Sequence, residues 1–300
     1  MEAPDVERGF SFSLPDLKQV MVKAGGENFP VASRLLPKRF RRYLRAIYGF
    51  ARLVDDIGDE MKGDRRAALA WLDAELERAF LGSATHPVMR RLSLTVAECG
   101  LDPQPFRDLI EANRMDQEVA RYETWEQLKD YCRLSAEPVG RLVLAVTGLL
   151  TAERQSWSDS VCTGLQLAEH WQDVREDYER GRIYLPSEDM ERFGVIEADL
   201  AAPRATPQLV DLMRFEVDRA RTLLTAAGPL VFDLRGVAPI RIRWAIAAYA
   251  GGGTAALDAI ARGRFDVLVR VWRPAKAATL RNTIRLVRAS TPERSAHAAG

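Results

Sequence analysis

The chain has few of the residues that usually disclose a chemistry early. Three cysteines, Cys99, Cys132 and Cys162, are scattered over 300 residues without a CxxC pair. That spacing excludes a disulfide framework and a zinc knuckle, and leaves small buried thiols in a reducing compartment. Histidine is equally scarce, at three residues, and only His170 stands near other titratable groups. No apolar run reaches the roughly 20 residues that span a bilayer. The nearest, 245–257, is short, rich in glycine and followed by Asp258. The first residues lack the charged-then-apolar pattern of an export signal. Net charge is only +1, which excludes strong global steering toward nucleic acid. No alternating strand pattern, hairpin signal, fixed-period repeat or domain-separating linker is visible. The expectation is a cytoplasmic, all-α protein of one domain over 1–288, with 289–300 as a frayed tail.

Hydrophobic residues make up 47% of the chain, enough for a sizeable core, and their spacing is helical nearly throughout. Pro37 opens a long helix over 38–60. Asp64 caps a second over 65–80. Further helices are expected over 86–99, closed by Gly100, over 105–122, and from Thr124 to 150 with an interruption at Pro138. A long one covers 153–178 and ends at Gly181. Later helices are expected over 207–227, 239–250, 254–262 and 276–288, with Gly251-Gly252-Gly253 as a break between two of them.

Charge is uneven along this frame. From Arg34 to Arg52 there are seven cations and no acid, and from Arg262 to Arg294 nine cations and two acids. Acids concentrate in two places. Asp55-Asp56-Ile57-Gly58-Asp59-Glu60 closes the first long helix, where carboxylates meet the unfavourable end of the helix dipole. Asp55 and Asp59 stand four apart and so share a face. In the second long helix Glu169, Asp173 and Asp177 fall at i, i+4 and i+8 and drift only about 40°. Gln166 joins that stripe. Each cluster alone also reads as a solvated helix end, or as a salt-bridge ladder with Arg175 and Arg180. Together, in an all-α chain with cationic helices, they suggest divalent cations gripping a diphosphate.

With those residues stated, the chain resembles the squalene/phytoene synthase family. Asp55 to Asp59 is similar to the family's first DxxxD motif and Asp173 to Asp177 to its second. Tyr48 and Arg52 stand seven and three residues before Asp55, as the family pattern has them. Asp116 to Tyr122 and then Tyr131 to Gly140 resemble the central pocket helix, and Gly181 to Pro186 the stretch after the second motif. The resemblance implies a single-domain, all-α isoprenoid synthase bundle with a central active-site cavity, isoprenoid diphosphate substrates and three magnesium ions. Glu27 to Ser33 and His170-Trp171-Gln172-Asp173 resemble the hydroxysqualene synthase branch of hopanoid-making bacteria, which ionises presqualene diphosphate and captures the rearranged cation with water. No NADPH is then expected. The chain departs from the broader family in carrying Glu169 for Asn and Gln172 for Arg. Loss of that cation fits a site that need not hold two prenyl diphosphates together.

By the same resemblance, Tyr48, Tyr131 and Tyr184 are the candidate catalytic residues. Asn28, Arg52, Gln166 and Gln172 are the candidate substrate and diphosphate contacts, and Asp55, Asp59, Glu169, Asp173 and Asp177 the candidate metal ligands. Each tyrosine also reads as core, and Arg52 as an intrahelical salt bridge with Asp55 or Asp56. His170 points about 100° off the carboxylate stripe and is expected to pack or to act behind it. Trp171 is expected in the core. The basic stretch 264–273, interleaved with Val267, Leu268 and Trp272, reads as an amphipathic helix, with contact to the inner membrane face as a second reading. A functional link to the enzymes before and after it in squalene formation is expected, and no nucleic acid. Two rivals stay open: a head-to-head prenyl diphosphate condensing enzyme, and a non-catalytic lipid-binding member. A di-iron bundle is excluded because no Glu-x-x-His pair occurs.

Overall fold

The computed structural model describes residues 36–289. Asn28, the Glu27–Ser33 stretch and nearly all of the expected tail lie outside the described residues. Among the described residues the architecture is all-α, without a β-strand; one isolated bridge joins Arg121 and Ile183. Chain packing divides these residues into two compact units, 37–118 and 119–289.

The first unit holds α1 (Lys38–Asp55), α2 (Arg65–Phe80), α3 (Pro87–Cys99) and α4 (Gln104–Met115). Helix α1 buries Phe40, Leu44, Ile47, Phe50, Leu53 and Val54, the threes-and-fours stripe that its sequence carries. Phe106 of α4 locks the unit, meeting Phe50 edge-on at 5.1 Å and Phe80 at 5.9 Å. Asp64 caps α2 by accepting the Ala67 N–H at 2.9 Å. Helix α4 stops at Met115, short of the expected 122, because Gln117 and Glu118 donate to carbonyls three residues back and tighten the chain into a turn.

The second unit contains α5 (Trp125–Ser135), α6 (Glu137–Val146), α7 (Ala152–Glu179), α8 (Ser187–Phe193), α9 (Glu197–Leu200), α10 (Pro207–Leu224), α11 (Ala227–Asp233), α12 (Ile240–Arg262) and α13 (Lys276–Arg288). Helix α7 runs about 42 Å at 1.5 Å per residue, and α6, α10, α11 and α12 pack on it. Trp171 is fully buried there, its indole N–H donating to the Glu216 carbonyl at 3.2 Å. Burial pushes the Cys132 thiol upward and the Cys162 thiol up to about 12, so both are inert at neutral pH.

Two expectations fail in this unit. The triple glycine does not break a helix: α12 runs through it, and all three glycines are buried. A Cβ on Gly251 would stand 2.8 Å from the Thr283 backbone nitrogen of α13, and one on Gly253 2.4 Å from a Leu165 methyl of α7. Close helix approach outweighs the roughly 1 kcal/mol per residue that glycine loses in a helix. The stretch 264–273 is no amphipathic helix. Arg264 and Phe265 turn it with φ of 56° and 61°, Val267 and Leu268 are buried, and the Trp272 indole N–H donates to the Asp266 carbonyl at 2.7 Å. Val267 and Leu268 join the core, while Val269 stays 45% exposed. No helix among the described residues is long and apolar enough to cross one.

Candidate active site

In the first unit the end of α1 widens. Asp56–Glu60 forms a π-helical turn, closed by the Met61 N–H donating to the Asp56 carbonyl at 2.8 Å. Such turns recur at functional sites. The wider turn rotates Asp56 inward, to 4% exposure, while Asp55, Asp59 and Glu60 stay at the surface. Arg52 closes on Asp56 at 2.8 Å and on Glu60 at 2.7 Å, so its guanidinium is engaged by the two carboxylates that flank the candidate ligands. The Asp55 carboxyl is pushed up to about 7, first by crowding protein atoms and then by Asp59 and Asp56, with Arg52 and Asn113 opposing. Asn113 of α4 donates to Asp55 Oδ1 at 3.5 Å and to the Leu109 carbonyl at 3.3 Å. Gln117 donates to the Gly58 carbonyl at 3.0 Å. A Cβ on Gly58 would stand 2.0 Å from Asn113 Oδ1, so glycine there is what admits the α4 side chain. Tyr48 is buried two turns earlier on α1.

In the second unit α7 carries Gln166, Glu169, His170, Gln172, Asp173 and Asp177, and His170 meets Tyr131 of α5 and Tyr184 of the following loop. That loop is pinned: Ile183 donates to the Ala120 carbonyl at 2.9 Å, Ser187 to that of Tyr122 at 2.9 Å, and the Arg121 guanidinium to Gly181 at 2.6 Å. Tyr184 therefore lies over His170, ring centroids 3.6 Å apart and stacked. Tyr122, Tyr131 and Tyr184 form a triangle of rings with centroids 5.5–5.8 Å apart. His170 joins this aromatic group to the carboxylates: its Nδ1 is 3.9 Å from Asp177 Oδ2, and its Nε2 is 3.2 Å from Gln166 Nε2. The expectation that His170 works behind the carboxylate stripe matches this position.

The Asp173 carboxyl is pushed up to about 6 by desolvation and by the neighbouring Asp177 and Glu176, with His170 and Arg273 opposing. Glu169 is exposed. Gln172 is buried, and its amide donates to the Trp272 carbonyl, so it anchors the 264–273 stretch to α7. Four neighbours were not among the site residues that the sequence singles out. Asn113 sits on an otherwise apolar face of α4, and Gln117 follows four residues on in the turn that closes it, a signal that was available. Tyr122 follows a bridge visible only in three dimensions. Arg273, the cation that opposes the rise at Asp173, lies in the basic stretch 264–273, where Arg270 stacks over Trp272 at 4.0 Å.

Among the described residues, no three His, Cys, Asp or Glu side chains converge as a preformed metal cluster. The donors are oxygens in pairs, and in each pair one carboxyl is raised by its neighbour's charge. That donor set suits magnesium, which takes one or two carboxylates and completes its shell with water and phosphate oxygens. The residues present fit the ion.

The squalene/phytoene synthase family model matches residues 22–281. A hydroxysqualene synthase of Rhodopseudomonas palustris is 38% identical over 211 residues, covering 70% of this chain and 72% of its own. A phytoene synthase of Arthrospira platensis is 34% identical over 260 residues, 80% of this chain and 82% of its own. The crystal structure of the squalene synthase HpnC from Alicyclobacillus acidocaldarius superposes with a TM-score of 0.77 at 44% identity, over 83% of this chain and 93% of that one. The helices are those of the isoprenoid synthase fold, the paired carboxylates stand on two of them, and the match runs through both units: the chain is an enzyme of the squalene/phytoene synthase family.

Proposed function

We propose that this enzyme converts presqualene diphosphate and water into hydroxysqualene, diphosphate and a proton. One observation carries the reading: the triangle of Tyr122, Tyr131 and Tyr184 is coupled through stacked His170 to the carboxylates of α7. A departing diphosphate needs compensating charge, and the cation left behind needs electron-rich rings near it. Asp55 and Asp59 in the first unit, and Asp173 and Asp177 with Glu169 in the second, would hold magnesium. The chemistry magnesium supplies when bound is charge neutralisation and Lewis-acid assistance to the leaving diphosphate.

The chain's own residues set the rest. The carbon–oxygen bond to diphosphate breaks, the cyclopropylcarbinyl cation rearranges, and a water oxygen bonds to carbon and sheds its proton. The ring faces of Tyr131 and Tyr184 stabilise the cation by their quadrupoles. His170, held between Tyr184 and Asp177, fixes the ring it stacks on. Tyr48, buried on α1, is the candidate ring of the first unit. Arg52 is a phosphate contact only if Asp56 and Glu60 release part of its guanidinium. Gln172 leaves no cation at a position where condensing relatives carry one, and its anchoring bond to Trp272 keeps it out of diphosphate contact.

The likeness to hydroxysqualene synthases supports this choice of reaction. The longer match to a phytoene synthase favours a second reading, head-to-head condensation of two prenyl diphosphates. The test supplies purified protein with magnesium and no reductant, and offers presqualene diphosphate and farnesyl diphosphate separately, with products read by mass spectrometry. Hydroxysqualene from the first and nothing from the second is expected. Presqualene diphosphate made from farnesyl diphosphate would move the assignment to condensation.

A further inference from the structure

Helix α1 carries a second charged feature, remote from its carboxylates. Lys38, Arg41, Arg42 and Arg45 of α1 and Arg91 of α3 line a cleft of about 430 Å³ within the first unit, with Leu94 on its wall. Among the described residues only one carboxylate answers this set: Glu98 pairs with Arg42 and also accepts from the Tyr43 hydroxyl at 2.9 Å. Arg41 Nε is buried without a hydrogen-bond partner among the described residues. Buried guanidinium N–H groups are normally satisfied, so an unfilled donor in a cationic cleft marks the place of an acceptor. The first turn of α1 has no acid and no side-chain cap, which puts these cations at the end of the helix that favours anions. Five like charges in one concavity repel, and an anion there relieves both unfavourable terms.

Leu94 is 65% exposed and flanks the cations with an apolar surface. The combination of several cations, an unfilled donor and an adjoining apolar wall matches a phosphate that carries a hydrocarbon chain. Arg45 and Arg41 precede Asp55 by ten and fourteen residues, about 15 and 21 Å along the axis. The cleft is therefore separate from the carboxylates at the other end of the helix.

We infer that this cleft is a phosphate-binding site, distinct from the magnesium-dependent one and independent of which reaction the enzyme runs. A phospholipid headgroup and free diphosphate are its two sources of ligand, and two arms tell them apart. The full chain, in EDTA so that the carboxylates cannot bind diphosphate through a metal, is titrated calorimetrically with inorganic diphosphate. Separately it is sedimented with vesicles of phosphatidylglycerol or of phosphatidylcholine alone. Saturable binding in either arm, absent with phosphatidylcholine and weakened about tenfold or more by Arg45→Gln with Arg91→Gln, supports the site and names its source. Both arginines are exposed, and unchanged circular dichroism with unchanged turnover of detergent-dispersed substrate is expected of the pair. No binding in both arms at low salt, or binding that ignores the two substitutions, overturns the inference. Lost turnover in the double variant would place these arginines at the reaction and overturn it too.

Discussion

Replacing Gly58 by alanine tests how the first carboxylate pair is held. The backbone there is not in the left-handed region, so alanine is allowed conformationally. In open space the change would stabilise the turn by up to about 1 kcal/mol through helix propensity. The site is not open: the new Cβ would lie 2.0 Å from Asn113 Oδ1 and 3.0 Å from its Cγ. Asn113 is buried and tied to Asp55 and to Leu109, so it cannot swing aside without losing both bonds. Overpacking of this kind costs about 1–3 kcal/mol. The net expectation for Gly58→Ala is a loss of about 1–2 kcal/mol, together with weakened magnesium-dependent turnover as Asp55 loses its support. In an Asn113→Ala background the Oδ1 and Cγ contacts are gone, only a 3.3 Å contact to the Cβ at position 113 remains, and the same Gly58→Ala change should raise stability. The double-mutant cycle, run by thermal melting, should therefore show a sign reversal and a coupling of about 2 kcal/mol, several degrees in a chain of this size. Additive effects of the two substitutions would refute the contact as the reason for glycine.

Three further outcomes are expected. Asp55→Asn and Asp173→Asn should each abolish turnover while leaving helical circular dichroism intact; wild-type activity in either would remove the metal-site assignment. Gly253→Ala should lower the melting temperature by driving a methyl to 2.4 Å from Leu165, and Leu165→Ala in the same chain should recover part of the loss. Glu216 is fully buried against Arg219, and desolvation, with Asp189 nearby, pushes its carboxyl up to about 8 from an ordinary 4.5. Between those values the unfolded chain has released a proton that the folded chain keeps, so stability present at low pH declines as pH rises through that window. The upper bound is about 5 kcal/mol at roughly 1.4 kcal/mol per pKa unit. Melting followed from pH 5 to 9 should show a decline in the wild type that Glu216→Gln flattens; parallel curves would sink the argument.

The helices and the two carboxylate pairs were readable because their signals are local. An apolar stripe, an Asp cap or aspartates four apart declare themselves within a few residues. What was illegible depends on partners far away in the chain. Three consecutive glycines read as a break until α13 and α7 are seen pressing on Gly251 and Gly253 from either side. The 264–273 stretch has amphipathic composition, yet two left-handed residues and the Trp272 anchor turn it inward.

The same distinction explains the candidate site. Local spacing singles out Asp55, Asp59, Asp173 and Asp177 as groups four apart, but it could not assign their partners. Arg52 had two readings in the sequence, phosphate contact and intrahelical salt bridge; the structure shows the salt bridge to Asp56, and the π-turn brings Glu60 within reach of the same guanidinium. A regular α-helix would have carried Glu60 onward along the axis. Widening the turn pairs one end of the Arg52 guanidinium with Asp56 and Glu60, and leaves Asp55 crowded by protein atoms and under the repulsion of Asp59, a condition that a divalent cation would relieve. One irregular turn thus sorts four adjacent acids into two, Asp56 and Glu60, that pair with an arginine and two, Asp55 and Asp59, that do not.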